Sequence, residues 1–239
     1  NELDQKEPQT DFHKWIVELF NKYNLKATFN VNSELLGTNN MLIRENKRVA
    51  HYKLHKSDVK GIYDGHEVAV HTLTHPHLPP LEDAEVIRQV EQDRLNLSDI
   101  VGYEVIGMAY PGGGVNNDDR VAEIIKNNTG VKYSRTTTCT DNFDLQDNLY
   151  RFNPTAYHLH FDKLMELGEK FVNMTALKSI NKSADYFDSL TARNCREAVS
   201  QFQRDYNDLK QQLPHSLAFF EYVFLCAIIF VCTKIPVFL

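Results

Sequence analysis

The chain lacks an excess of positive charge, a cysteine pair at redox or metal spacing, and a leader-like start, and each absence removes a class of function. With a formal net charge of -6 and a pI near 5.9, it has no general attraction for polyanions. Nucleic acid and anionic lipid headgroups are therefore excluded as electrostatic partners. The four cysteines, Cys139, Cys195, Cys226 and Cys232, are widely separated, with no C-x-x-C pair and no dense disulfide framework. The opening NELDQKE has neither a basic nor an apolar segment, so no signal peptide is visible, and the missing initiator Met agrees with an upstream piece being absent.

Apolar residues make up 42% of the 239 positions, enough for one substantial core, and one domain with extensions is expected. Thr10 or Asp11 can cap a helix whose Phe12, Ile16, Leu19, Phe20 and Tyr23 recur at spacings of three and four, with Asn24 at its end. Lys26 to Val31 alternates and is rich in strand formers. A polar, helix-compatible stretch runs to Gly65, and His66 to His71 then reads as a strand with Val68 and Val70 on one face. Helical spacing over Glu82 to Val101 precedes a strand at Val105 to Tyr110. A short helix at Asp118 to Asn128, stopped by Gly130, precedes another strand at Val131 to Arg135. Repeated alternation predicts an α/β fold with a mostly parallel sheet.

The pattern stops near residue 177. Residues 178–216 are polar and helix-compatible and read as an extension. Residues 217–239 (LAFFEYVFLCAIIFVCTKIPVFL) form an apolar tail long enough to cross a bilayer, although Glu221 and Lys234 interrupt it. The tail is a candidate membrane anchor, and a buried helix or hairpin covering the domain is the alternative.

The chemistry concentrates in one place. His66, His71, His75 and His77 fall within twelve residues at the end of a predicted strand. In HTLTH, two imidazoles four residues apart can reach one ion as the chain turns off the strand, at about 2.0 to 2.1 Å each for zinc. Pro76 and the Val68/Val70 alternation favour a strand end over a helix interior. Thr72 and Thr74 supply hydroxyls that can support the ligands. The bland alternative is that both histidines only hydrogen-bond within the fold. Downstream, Ala109 to Gly114 (AYPGGG) lacks the Gly-Lys-Ser/Thr ending of a phosphate loop, which excludes that reading.

GHEVAVHTLTHPHL, together with KYNLKATFNVNSELLG before it and AYPGGG after it, resembles the polysaccharide deacetylase, or NodB-homology, family. The resemblance covers residues 1–177. It implies a distorted (β/α) barrel, of which this chain can be an incomplete copy with a C-terminal helical extension, and a metal site at the C-terminal ends of the strands. By resemblance, His71 and His75 are metal ligands, and the cofactor is one divalent ion, most commonly zinc. It further implies that the Gly112 backbone N–H is an oxyanion donor, and that Tyr110, Pro111 and, on a looser match over residues 150–160, His158 line the substrate groove. His160 shares the strand face of His158.

Two family motifs are not found. The Asp pair that supplies the general base and third ligand falls near Glu7-Pro8, where Asp4, Glu7 and Asp11 are the nearest carboxylates. The late His that protonates the leaving group is replaced by NKSADYFDSLTARNC, with no His before His215. An Arg common at the start of the AYPGGG motif is Ala109 here. General base and acid therefore have no assigned residue. The resemblance implies a hydrolase that removes acetyl groups, foremost N-acetyl, from a glycan such as chitin or peptidoglycan, at the cell surface or outside it. A hydrolase of small non-peptide amides, and a catalytically impaired carbohydrate-binding or membrane-associated relative, are the alternatives.

Overall fold

The computed structural model describes residues 8–22, 26–44, 47–142, 144, 146–156, 163, 166, 167 and 204. The first helix, α1 (Pro8–Lys22), begins two to three residues before the expected caps. Proline suits the first helical position, where its missing N–H would have had no partner. The buried side of α1 carries Ile16, Val17, Leu19 and Phe20, and Phe20 packs against Phe29 of β1 (Thr28–Val31).

The stretch between β1 and Gly65 corrects one expectation. It holds an antiparallel hairpin, β2 (Asn39–Arg44) and β3 (Lys47–Tyr52), paired from Asn39↔Tyr52 to Arg44↔Lys47, and only then a short helix, α2 (Lys56–Ile62). After β4 (Glu67–Val70), the long helical stretch is divided into α3 (Asp83–Ile87), a π-helical turn at Arg88–Gln92, and α4 (Asp93–Val101). Gly102 ends α4 in the left-handed region at φ 81°, a conformation glycine adopts without a Cβ penalty. Next come β5 (Gly107–Ala109), α5 (Asp119–Asn128) and β6 (Tyr133–Arg135). The Asp118 carboxylate caps α5 by accepting the Val121 N–H at 2.7 Å.

Strands β1, β4, β5 and β6 form one parallel sheet in the order β1-β4-β5-β6. The mostly parallel α/β architecture is therefore as the alternation predicted. The sheet continues past β6 through a parallel bridge between Arg135 and Phe152. Tyr150 and Arg151, which open the stretch matched to a groove-lining strand, lie instead in a 3₁₀ turn, Leu149–Arg151, held by the Asn148 side chain accepting the Tyr150 N–H. The expected extension apart from Arg204, the apolar tail and His158 lie outside the described residues. Among the described residues, no helix is long and apolar enough to cross a membrane.

Strand residues Val68, Val70 and Met108 meet Val86, Val90 and Leu97 of the helical layer in one core. Two histidines belong to this framework. His66 accepts the Ala27 N–H through Nδ1 at 3.2 Å and faces Asn21 Oδ1 through Nε2 at 3.2 Å. His13 lies 2.6 Å from the Tyr63 hydroxyl, and burial holds its pKa down at about 3.

Leu97 is fully buried between α4 and the sheet. Leu97→Ala is expected to cost about 2 to 5 kcal/mol, the transfer term plus a cavity. Urea unfolding monitored by circular dichroism checks this, and a loss below about 1 kcal/mol would show that the helical layer is not part of the cooperative core.

Candidate active site

The parallel register lines up one row of residues at the C-terminal edge of the sheet. Val31 pairs with Val70, and Val70 with Met108, so Asn32, His71 and Ala109 follow side by side; Ala109 pairs in turn with Arg135. Neighbours in register on parallel strands share a face. His71 thus sits one residue past β4, with a small methyl beside it and a guanidinium-bearing residue one strand further on.

The His71 ring is buried, and its Nδ1 lies 2.8 Å from the Ala109 carbonyl oxygen. A carbonyl can only accept, so Nδ1 carries the proton and Nε2 keeps a lone pair. Burial is the main reason the His71 pKa falls to about 3, and His75, Arg135 and Lys53 lower it further against the opposing Ala109 bond. The ring is accordingly neutral at pH 7 and fit to donate electrons.

His75, at the surface, stands with its ring centroid 4.9 Å from that of His71, edge to face. Its pKa is lowered by partial burial and by the charge of Lys53. The turn between the rings is tight. Thr72 and His75 both adopt positive φ, 67° and 65°, a region that costs a non-glycine residue about 1 to 3 kcal/mol. The Asn32 amide holds the turn from one side, donating to the carbonyls of His71 at 2.5 Å and Thr72 at 2.9 Å. Thr72 Oγ1 accepts the His75 N–H at 3.1 Å.

These two imidazoles fit a divalent ion of the zinc type, being neutral, convergent and supported from behind. Among the described residues, no group of three or more His, Cys, Asp and Glu side chains gathers. The further candidates Asp4 and Glu7 lie outside the described residues.

The glycine loop comes from the end of β5. Gly112 has φ 77°, and a Cβ there would overlap the His77 imidazole, with Cδ2 at 2.8 Å and Cε1 at 3.3 Å. Only glycine satisfies both constraints. Asn116 fixes the loop by donating to Gly112 O at 2.8 Å. Pro111 is buried. The Tyr110 side chain is buried too, with its hydroxyl donating to Tyr150 O at 2.7 Å. Tyr110 therefore braces the loop from the core, and its ring offers no face at the surface.

Sequence reasoning did not single out Asn32, Lys53, Gln89, Asp93 or Arg135. Burial lowers the Lys53 pKa to about 8, and its charge acts on both histidines. Asp93 is buried beneath His71, and burial raises its carboxyl to about 7 against the hydrogen bonds that lower it. One signal was readable for it: Asp93 stands where the apolar helical spacing of Val86, Val90 and Leu97 calls for a hydrophobic residue.

The family profile described as Polysaccharide deacetylase matches residues 4–133, more than half of the chain. Among solved structures, the Streptococcus pyogenes deacetylase PplD in complex with acetate is similar at 20% identity and a TM-score of 0.51, over 66% of this chain and 65% of that one. A polysaccharide deacetylase from Bacillus cereus is similar at 22% identity and a TM-score of 0.42, over 53% of this chain and 36% of that one. The chain thus spans less than two thirds of the length of these structures. At 20% identity, the likeness to the streptococcal deacetylase speaks for the fold alone. No curated protein matches the chain.

The buried titratable groups fix a pH dependence. His13 and His71, each held at about 3, stay neutral in the fold while the unfolded chain protonates them below about pH 6.5. Their contribution to stability is present above that pH and is lost as pH falls. Asp93, raised to about 7, has the opposite sign: its contribution is present below about pH 4 and is lost as pH rises toward 7. Two imidazoles against one carboxyl leave the unfolded chain about one proton ahead between pH 4 and 6.5. The metal-free chain should therefore lose about 1 kcal/mol per pH unit there. Urea midpoints at pH 7.5 and pH 5 measure this, and equal midpoints would refute the neutral burial of His13 and His71.

Proposed function

The chain belongs to the polysaccharide deacetylase family, and from that premise we propose that it is a metal-dependent hydrolase removing N-acetyl groups from a polysaccharide such as chitin or peptidoglycan. The observation that carries this reading is the His71/His75 pair, with the His71 tautomer fixed by Ala109 O so that Nε2 is available. These two residues would hold one zinc ion. Such an ion supplies Lewis acidity toward an acyl oxygen and a lowered pKa for water.

The remaining roles fall to the chain's own groups. The Gly112 N–H donates to no group among the described residues, and it lies on a loop braced by Asn116, Pro111 and Tyr110. A backbone donor held this way is suited to an oxyanion, because it needs no reorganisation when negative charge develops. Pro111 and the loop carried by Tyr110 would form the groove floor, with His158 as a further sugar contact. Lys53 and Arg135 set a positive field around His71, which favours a developing oxyanion and the carboxylate released. The family match begins at residue 4, so Asp4 and Glu7 lie within it and are the first positions to test for a third ligand and a base. Acetylated glycans of this kind are extracellular polymers, which places the proposed work at or beyond the cell surface.

The missing late His motif of the sequence favours a second reading, a relative that binds an acetylated glycan without cleaving it. Elemental analysis of the purified chain, paired with acetate release from a chitin oligomer, separates the two. One zinc per chain and acetate release are expected. His71→Ala should lose the metal and at least about a hundredfold in rate, and Asp4→Ala or Glu7→Ala should weaken zinc retention. A chain that takes up no divalent ion under any loading condition sinks the proposal. Bound zinc without acetate release assigns the chain to glycan binding, and hydrolysis confined to small amides assigns it to the non-polymeric substrates of the same fold.

A further inference from the structure

The strained turn that carries His75 is held mainly from below, by the π-helical turn and the residue that follows it. Asp93 is fully buried and uses both carboxylate oxygens on main-chain donors: Oδ1 accepts the Ser33 N–H at 2.7 Å, and Oδ2, at 3.0 Å, shares the His71 N–H with Val31 O at 3.1 Å. Ser33 follows β1 and His71 follows β4, so one side chain ties together the ends of two adjacent strands. Gln89, also buried, holds the other half of the turn. Its main-chain oxygen accepts the Leu73 N–H at 3.0 Å, its Oε1 accepts the Thr74 N–H at 3.2 Å, and its Nε2 donates to Thr74 Oγ1 at 3.0 Å.

The π turn makes the second clamp available. The Asp93 N–H donates to Val90 O rather than to Gln89 O, so the bond an α-helix would form there is not made and the Gln89 carbonyl can serve Leu73. Such turns carry a stability cost and recur at functional sites. Here the helical irregularity sits directly under the two imidazoles.

We infer that Asp93 and Gln89 are positioning residues, which clamp the main chain of residues 71–75 so that the His71 and His75 rings converge. The part concerning metal affinity rests on the proposed function; the part concerning the turn does not. Asp93→Asn separates position from mere packing. The amide is isosteric, but it can accept only one of the two N–H groups and points its own NH₂ at the other.

The test uses the full chain in two arms. In the metal-free protein, hydrogen exchange should quicken at least about tenfold in Asp93→Asn at one or both of the Ser33 and His71 amides, foremost the one that faces the new NH₂, while amides of α5 keep their rates. In the second arm, competition with a chromophoric chelator should show zinc binding weakened about 10- to 100-fold, with an altered cobalt absorption spectrum. Gln89→Ala, which leaves the main-chain bond to Leu73 in place, should loosen only the Thr74 end and weaken zinc less; it carries the test if Asp93→Asn does not fold. Unchanged exchange at Ser33 and His71 overturns the clamp, and faster exchange with wild-type zinc affinity overturns its positioning role. If the wild-type chain binds no zinc, the proposed function fails, and the exchange arm alone upholds or overturns the clamp.

Discussion

The hydrogen bond from the His71 ring to the Ala109 carbonyl depends on the parallel register of β4 and β5, and the rest of the site depends on it. Because Val70 pairs with Met108, the residue after β4 meets the last residue of β5, and a buried imidazole finds a main-chain acceptor within 2.8 Å. Without that acceptor, a buried Nδ1–H would be left unsatisfied, at a cost of about 1 to 3 kcal/mol. With it, one tautomer is selected and the opposite nitrogen is left free. Strand pairing, a property of the core, thus sets the tautomer of a buried imidazole.

The same register explains which neighbours the imidazole has. Asn32 lies on one side in the row and Ala109 on the other, and both contribute main-chain or amide contacts rather than charge. The nearest positive groups, Lys53 and Arg135, come from the foot of the hairpin and the end of β6. In a chain with a net charge of -6, this concentrates cationic field around the two imidazoles. The field adds to burial in disfavouring protonation of His71 and His75.

Legibility in the sequence followed the strength of the local signal. The strands flanking the site were readable because Val68 and Val70, or Met108 and its neighbours, are apolar on both faces or alternate cleanly, and the α5 cap was readable because Asp118 precedes the helix directly. The β2–β3 hairpin was not. Its segment, NNMLIRENKRVAHY, is largely polar, and its Glu45-Asn46 connection lacks the Asn-Gly or Asp-Gly pair that marks a tight hairpin. His71 and His75 stood out by spacing, but the same spacing could not tell that His66 is a framework residue, since its partners Ala27 and Asn21 lie about 40 residues away. The family resemblance implies Tyr110 at the groove, whereas its ring is buried in the core.

Asp93 and Gln89 show what a break in helical periodicity can mark. Both occupy buried positions on the same stripe as Val86, Val90 and Leu97, where the apolar spacing calls for a hydrophobic residue. A buried carboxyl costs several kcal/mol unless its oxygens are satisfied, so its retention implies acceptors that hydrocarbon cannot supply. The donors they meet belong to chain that is leaving the sheet: the N–H groups of Ser33 and Thr74, and that of His71, which Asp93 shares with Val31 O. Two residues in the left-handed region add about 1 to 3 kcal/mol of strain each to that same turn. The helix therefore gives up part of its own regularity to satisfy a strand end, and the turn so held is the one that brings two imidazoles together.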